Sequence, residues 1–175
     1  MTHNDIKKNF MIEYDKANVT SSYPSLTPYE IAVILNKAYL ALIAQKVTGN
    51  NVRRAPFEAD TKAISDIQPL IISSTISASG VHPTANNSQK YALPVNFLYY
   101  VSGMVQLSNQ PATVMLLPHE IVERFKETAV NKPWMKNTVA YIEGNYIVVL
   151  YDNYDNSQPP GTFTITYIKE PTKFT

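Results

Sequence analysis

Residues 161–175 read GTFTITYIKEPTKFT, and from Thr162 to Tyr167 a threonine alternates with a large apolar residue. Successive side chains of a strand point to opposite faces, so Phe163, Ile165 and Tyr167 share one face and Thr162, Thr164 and Thr166 the other. That pattern predicts a half-buried antiparallel strand. Pro171 has no amide to donate and should end its ladder. The strand is expected to close a sheet, paired near the run NYIVVLYD at 145–152, with residues 172–175 loose in the single chain and held by a neighbouring molecule.

Working back along the chain, residues 138–152 (TVAYIEGNYIVVLYD) predict a hairpin, with Glu143, Gly144 and Asn145 as a tight turn between two β-rich runs. Strands are also expected in 70–79 (LIISSTISAS), 95–107 (VNFLYYVSGMVQL) and 112–118 (ATVMLLP). Between them, residues 118–130 (PHEIVERFKETAV) predict a short helix with Ile121, Val122, Phe125 and Ala129 on one side. The polar stretch 77–92 reads as a long exposed loop, a candidate contact arm.

The amino-terminal third is helical in texture. In residues 26–50 (LTPYEIAVILNKAYLALIAQKVTGN), Thr27 can cap a helix, Pro28 suits its first turn, and Glu30 three residues after the cap completes a capping box. Leu26 and Ile31 can form a hydrophobic staple around that start. Ile31, Ile34, Leu35, Ala38 and Leu42 recur at helical spacing, while Tyr29, Val33, Tyr39, Leu40 and Ile43 add apolar surface beyond one stripe. This surplus predicts a second partner for the helix. Residues 53–70 (RRAPFEADTKAISDIQPL) read as a second helix limited by Pro69.

The fold class expected from this order is α+β: N-terminal helices packed on a mostly antiparallel sheet or sandwich with one inserted short helix. The expected organisation is an N-terminal arm over 1–25 and a single domain over 26–175. At 175 residues, 45% of them apolar, the chain can bury one sizeable core.

Fifteen basic and 14 acidic residues leave no global field to gather nucleic acid or an anionic membrane. The absence of cysteine excludes disulfides, thiolate metal sites and cysteine nucleophiles. Residues 1–16 mix both charge signs without an apolar run, so they do not read as a secretory signal, and no stretch has the apolar length of a membrane span.

Chemistry-bearing motifs are sparse. His119-Glu120 opens a predicted helix, but a zinc protease motif needs a second His four residues on, where Glu123 stands. His3 and His82 are scattered. No G-x-S-x-G elbow marks a serine nucleophile, and no Walker or G-x-G-x-x-G loop marks a nucleotide site. Asp152, Asn153, Asp155 and Asn156 cluster without calcium-loop spacing and read as turn formers. Arg53 and Arg54 could touch phosphate or pair with nearby acids. Trp134 could anchor an interface or cover its own core, and Tyr141, Tyr146, Tyr151 and Tyr167 could line a sugar platform or bury their rings.

The segments LTPYEIAVILNKAYLALI (26–43), RRAPFEADTKAISDIQPLI (53–71), YALPVNFLYYVSGMV (91–105), LPHEIVERFKETAVNKPWM (117–135), GNYIVVLYD (144–152) and TFTITYIKEP (162–171), in that order, resemble the ring or adaptor proteins of the head-to-tail connector of crAss-like and related tailed phages. The resemblance implies a structural, non-enzymatic virion subunit of the neck or tail, assembled in the host cytoplasm. Such a subunit forms a homo-oligomeric ring of about 12 copies around the genome exit channel, below the portal protein and against other connector or tail proteins, close to packaged DNA without specific contact. It implies no catalytic residues, cofactor or metal. An assembly interface is expected at Tyr29, Val33, Leu40, Ile43, Arg53, Arg54, Trp134 and Phe174. The rival readings are a β-rich carbohydrate- or receptor-binding module, and an enzyme whose site is gathered from distant residues.

Overall fold

The computed structural model describes residues 2–16, 26–48, 65–80, 87–107, 110–122, 137–151 and 160–174. By its internal contacts the chain divides into two compact units: Met1–Ile67 with Pro171–Thr175, and Gln68–Glu170.

The first unit contains helices α1 (His3–Lys16) and α2 (Pro28–Val47). In α2 the anticipated capping box and first-turn proline are present. Thr27 is extended, its hydroxyl accepts from the Glu30 amide at 3.3 Å, and a Glu30 carboxylate oxygen accepts from the Thr27 amide at 2.7 Å. Two amide donors that the first turn would leave unpaired are thereby satisfied. At the other end, Thr48 donates its backbone amide and its hydroxyl to the Ala44 carbonyl. Helix α1 lies in what the sequence presents as an arm. Thr2 and Asp5 repeat the reciprocal pattern at its start, with the Thr2 amide donating to Asp5 at 2.9 Å.

The second unit is built on seven strands: β1 (Ile71–Gly80), β2 (Ser88–Ala92), β3 (Phe97–Leu107), β4 (Gln110–Leu116), β5 (Asn137–Glu143), β6 (Tyr146–Leu150) and β7 (Thr162–Lys169). They hydrogen-bond in the order β1-β2-β6-β5-β4-β3-β7 and close on themselves as a barrel. This overturns the α+β expectation of helices packed on an open sheet or sandwich: the sheet has no free edge for a sandwich to be made from. Every pairing is antiparallel except β4 with β5, which is parallel. A parallel neighbour requires a crossover of a dozen or more residues, and 117–136 supplies it.

The closing position falls to the carboxy-terminal strand. β7 lies between β1 and β3, with Ile165 opposite Ser74 on one side and Gly103 on the other. It does not pair with β6, as the sequence suggested, because β6 is already saturated by β2 and β5. The face assignment holds: Phe163, Ile165 and Tyr167 are buried in the core, while the outward Thr166 and Thr164 hydroxyls meet Ser73 at 2.7 Å and Thr75 at 3.2 Å across the strands.

One core fills the barrel, formed by Tyr91, Val105, Leu107, Ala112, Val114, Ala140, Ile147, Val149, Tyr151, Phe163, Ile165 and Tyr167. A second lies outside it, where Val139, Tyr141, Val148 and Leu150 pack with Leu117 and Val122 of the crossover. Strands β5 and β6 are thus buried on both faces, which is why YIVVL runs apolar without alternation. An apolar interior with hydroxyls outside on β1 and β7 inverts the pattern of a membrane-spanning barrel. None of the described helices is long and apolar enough to cross a membrane.

Glycine is required at two points. Gly144 has φ 58° in the two-residue turn between Glu143 and Tyr146. Gly103 leaves room for the Phe163 ring across the strand pair.

One expectation meets a different structure, and two more fall mostly on residues outside those described. Ser77 to Gly80 continue β1 and Ser88–Ala92 form β2, within the stretch read as a long loop. The inserted helix at 118–130 is a 3-10 turn over His119–Ile121 followed by Val122, and 123–130 lie outside the described residues. The second helix at 53–70 is described from residue 65, as one helical turn and a 3-10 turn over Gln68–Leu70.

Candidate functional site

Most of the tyrosines that a sugar platform would need on the surface are buried, Tyr91, Tyr151 and Tyr167 inside the barrel and Tyr141 in the core outside it. The Tyr91 hydroxyl donates to the Pro160 carbonyl, that of Tyr100 to the Val114 carbonyl at 2.6 Å, and that of Tyr167 to Asn96 Oδ1 at 2.9 Å. Burial pushes the hydroxyl pKa of Tyr91, Tyr100, Tyr151 and Tyr167 upward, because an apolar surrounding disfavours the phenolate. Tyr91 and Phe163 pack as tilted rings at a centroid distance of 5.3 Å, and Phe97 and Tyr167 likewise at 5.7 Å. These rings are structural. Of the described barrel aromatics only Tyr146 is more than a third exposed, and Lys90 Nζ sits 5.2 Å from its centroid.

Among the described residues polar chemistry does not converge elsewhere. Among the described residues no three His, Asp or Glu side chains stand together as a metal site. His119 places its ring edge against Tyr141 at 5.7 Å. His82 and the Asp152–Asn156 cluster lie outside the described residues, as do Arg53, Arg54 and Trp134.

The feature left for function is α2. A helix with more apolar residues than one stripe holds ordinarily buries most of them, yet this one buries only Ile31, Ala32 and Ile43. Tyr29 is 78% exposed, Leu42 50%, Ile34 42% and Leu40 38%. Ala38, Ala41, Leu42, Ala44, Gln45 and Thr48 line a shallow depression along it. Of the anticipated interface residues, then, Tyr29 and Leu40 are exposed and Val33 is half-buried. Ile43 is completely buried and cannot face a partner.

Phe174 also stands differently from the expectation that residues 172–175 hang free. The Asn36 side-chain amide makes two bonds to its backbone: Nδ2 donates to the Phe174 carbonyl at 3.1 Å, and Oδ1 accepts from the Phe174 amide at 2.9 Å. Tyr39, one turn further along the same helix, packs its ring 6.4 Å from that of Phe174. One side chain therefore reads the extended tail as a strand neighbour would. Nothing in the periodicity marks this clamp; the available signal is an Asn, next to Lys37, midway along a mainly apolar helix.

At the helix ends, the Glu30 carboxyl is held below its usual range by the Thr27 amide and then the Thr27 hydroxyl, and Lys46 pairs with Asp66 at 2.6 Å. The arrangement offers no reacting group. It offers a mainly apolar helical surface with Glu30 and Lys46 near its ends and Lys37 between them.

Compared with models of known protein families and with curated proteins, the chain matches none.

Proposed function

We propose that the chain is a structural subunit of a phage head-to-tail connector, forming with further copies of itself, about 12 in all, a ring around the genome exit channel, in contact with the portal protein and neighbouring connector or tail proteins. The observation that carries this reading is the exposed apolar surface of α2, which a single copy leaves open to water. A cyclic assembly uses heterologous contacts, one surface of each subunit against a different surface of the next, and so demands more apolar surface than one core consumes. The order of the sequence motifs supports the same reading. A near-neutral chain suits a channel wall, since many tight phosphate contacts would hold a passing genome in place.

The experiment is the mass of the purified chain, alone and mixed with the portal protein of the same phage, with negative-stain images of the mixture. Rings in register with the portal are expected. A chain that joins neither portal nor virion contradicts the proposal.

A further inference from the structure

Helix α2 carries a single i, i+4 ridge of unusual symmetry. Glu30, Ile34, Ala38, Leu42 and Lys46 follow one another at four-residue spacing, and Glu30, Ile34, Ala38 and Leu42 are exposed with Lys46 half-exposed beside them. Ala38 is the midpoint. Reversing the ridge exchanges Glu30 with Lys46 and Ile34 with Leu42 and leaves Ala38 on itself. It is therefore complementary to its own antiparallel copy: carboxylate against ammonium at both ends, branched aliphatic against branched aliphatic inside them, and methyl against methyl at the centre.

We propose that two copies of this chain associate through α2 about a two-fold axis at Ala38. The packing of i, i+4 ridges from both helices is the commonest crossing in globular proteins, with axes inclined by about 50° and 8–10 Å apart. The small residue belongs at the crossing point, where the backbones come closest, and Ala41 and Ala44 beside it extend the depression in which the partner's Ile34 meets Leu42. Glu30 and Lys46 lie eight residues either side of Ala38, about 12 Å along the axis at 1.5 Å per residue. Each uses part of its capacity at home, Glu30 on Thr27 and Lys46 on Asp66. Each still has free valence, a second carboxylate oxygen in one case and further ammonium protons in the other.

One helix crossing covers less than the roughly 800 Å² per partner of a standard stable interface, so the pair is weak and concentration-dependent. A two-fold contact is also closed: it covers the apolar face without propagating. The pair covers the same α2 face that the connector reading opens to a neighbour, so it is a state of the free chain that ring assembly through α2 would displace.

The chain has no cysteine, so single-cysteine variants report cleanly. At the crossing point the two Ala38 Cα atoms fall within the 4.4–6.8 Å that a disulfide spans. Full-length Ala38→Cys under mild oxidation should give a covalent dimer, while Lys37→Cys, exposed on the adjacent side of the helix, should not. Sedimentation of the full chain should show a monomer–dimer equilibrium. Glu30→Lys or Lys46→Glu should weaken it about tenfold, since the two-fold axis makes two like-charged contacts of either change, and Glu30→Lys/Lys46→Glu together should restore it. That restoration separates a lost contact from a lost cap or a lost Asp66 pair, which the double variant lacks equally. Equal crosslinking of the two cysteine variants, or a monomer at every concentration, overturns the two-fold pair while leaving the ring proposal to be judged on the portal mixture.

Discussion

Replacing Gly103 by alanine should destabilise the barrel even though alanine ordinarily favours a strand over glycine. The backbone effect alone would stabilise by about 0.5–1 kcal/mol, because glycine loses more freedom on folding. Against it stands a steric term fixed by position. A Cβ built at Gly103 comes within 2.5 Å of Phe163 Cζ, 2.6 Å of Phe163 Cε2 and 2.7 Å of the Tyr100 hydroxyl oxygen. Carbon atoms pack favourably at about 3.5–4.0 Å, so each contact is short by roughly 1 Å. The neighbours cannot easily yield: Phe163 is wholly buried against Tyr91, and the Tyr100 hydroxyl is tied to the Val114 carbonyl. Overpacking of this kind costs about 1–3 kcal/mol, and three contacts from two anchored rings place Gly103→Ala in the upper half of that range. Urea unfolding measures it as a lower midpoint at unchanged slope. Phe163→Leu removes the clashing ring atoms, so the pair Gly103→Ala/Phe163→Leu should lose less than the sum of the single losses, by about 0.5 kcal/mol or more. If Gly103→Ala matches or exceeds the parent in stability, or if the two losses simply add, β3 and β7 are not registered as described.

Three further outcomes follow from the same contacts. Thr27→Ala should cost about 1 kcal/mol by thermal unfolding through loss of the reciprocal cap, with Thr27→Ser near the parent. Asn36→Leu removes both bonds to Phe174; the tail amides of 172–174 should then exchange hydrogen faster by mass spectrometry while the barrel amides keep their protection. Above pH 10 the unfolded chain ionises its tyrosines, whereas Tyr91, Tyr100, Tyr151 and Tyr167 stay protonated when folded because their pKa values are raised. The unfolded state therefore binds fewer protons, and stability, fully present below pH 10, should fall as pH rises beyond it, with a step of tyrosinate absorbance from these four accompanying unfolding.

How far the sequence carried the architecture can be seen in β7. Alternation of Thr with Phe, Ile and Tyr fixes which side chains go inward, because that is a property of one strand. It says nothing of partners, so the expected pairing with β6 was a guess from proximity in the chain, and β7 instead bridges β1 and β3 from far upstream. Closure is a property of all seven strands together. The cap at Thr27 and the turn at Gly144 were legible because their chemistry is local, within three residues. The Asn36 clamp on Phe174 spans 138 residues and leaves no periodic trace. The exposed face of α2 was visible as surplus apolar residues, but which of them turn inward was not. Ile43 and Leu40 look alike in composition, and only the fold buries the first and exposes the second.

The connector proposal, which makes the chain a phage protein, is tested most directly by a cryo-electron microscopy reconstruction of the neck of a tailed phage whose genome carries it. The account predicts, below the portal, a ring of repeated seven-stranded barrels traced β1-β2-β6-β5-β4-β3-β7, with α2 of each copy covered by a neighbouring molecule. Virions that lack the chain, or a neck ring in which α2 remains bare to solvent, would contradict it.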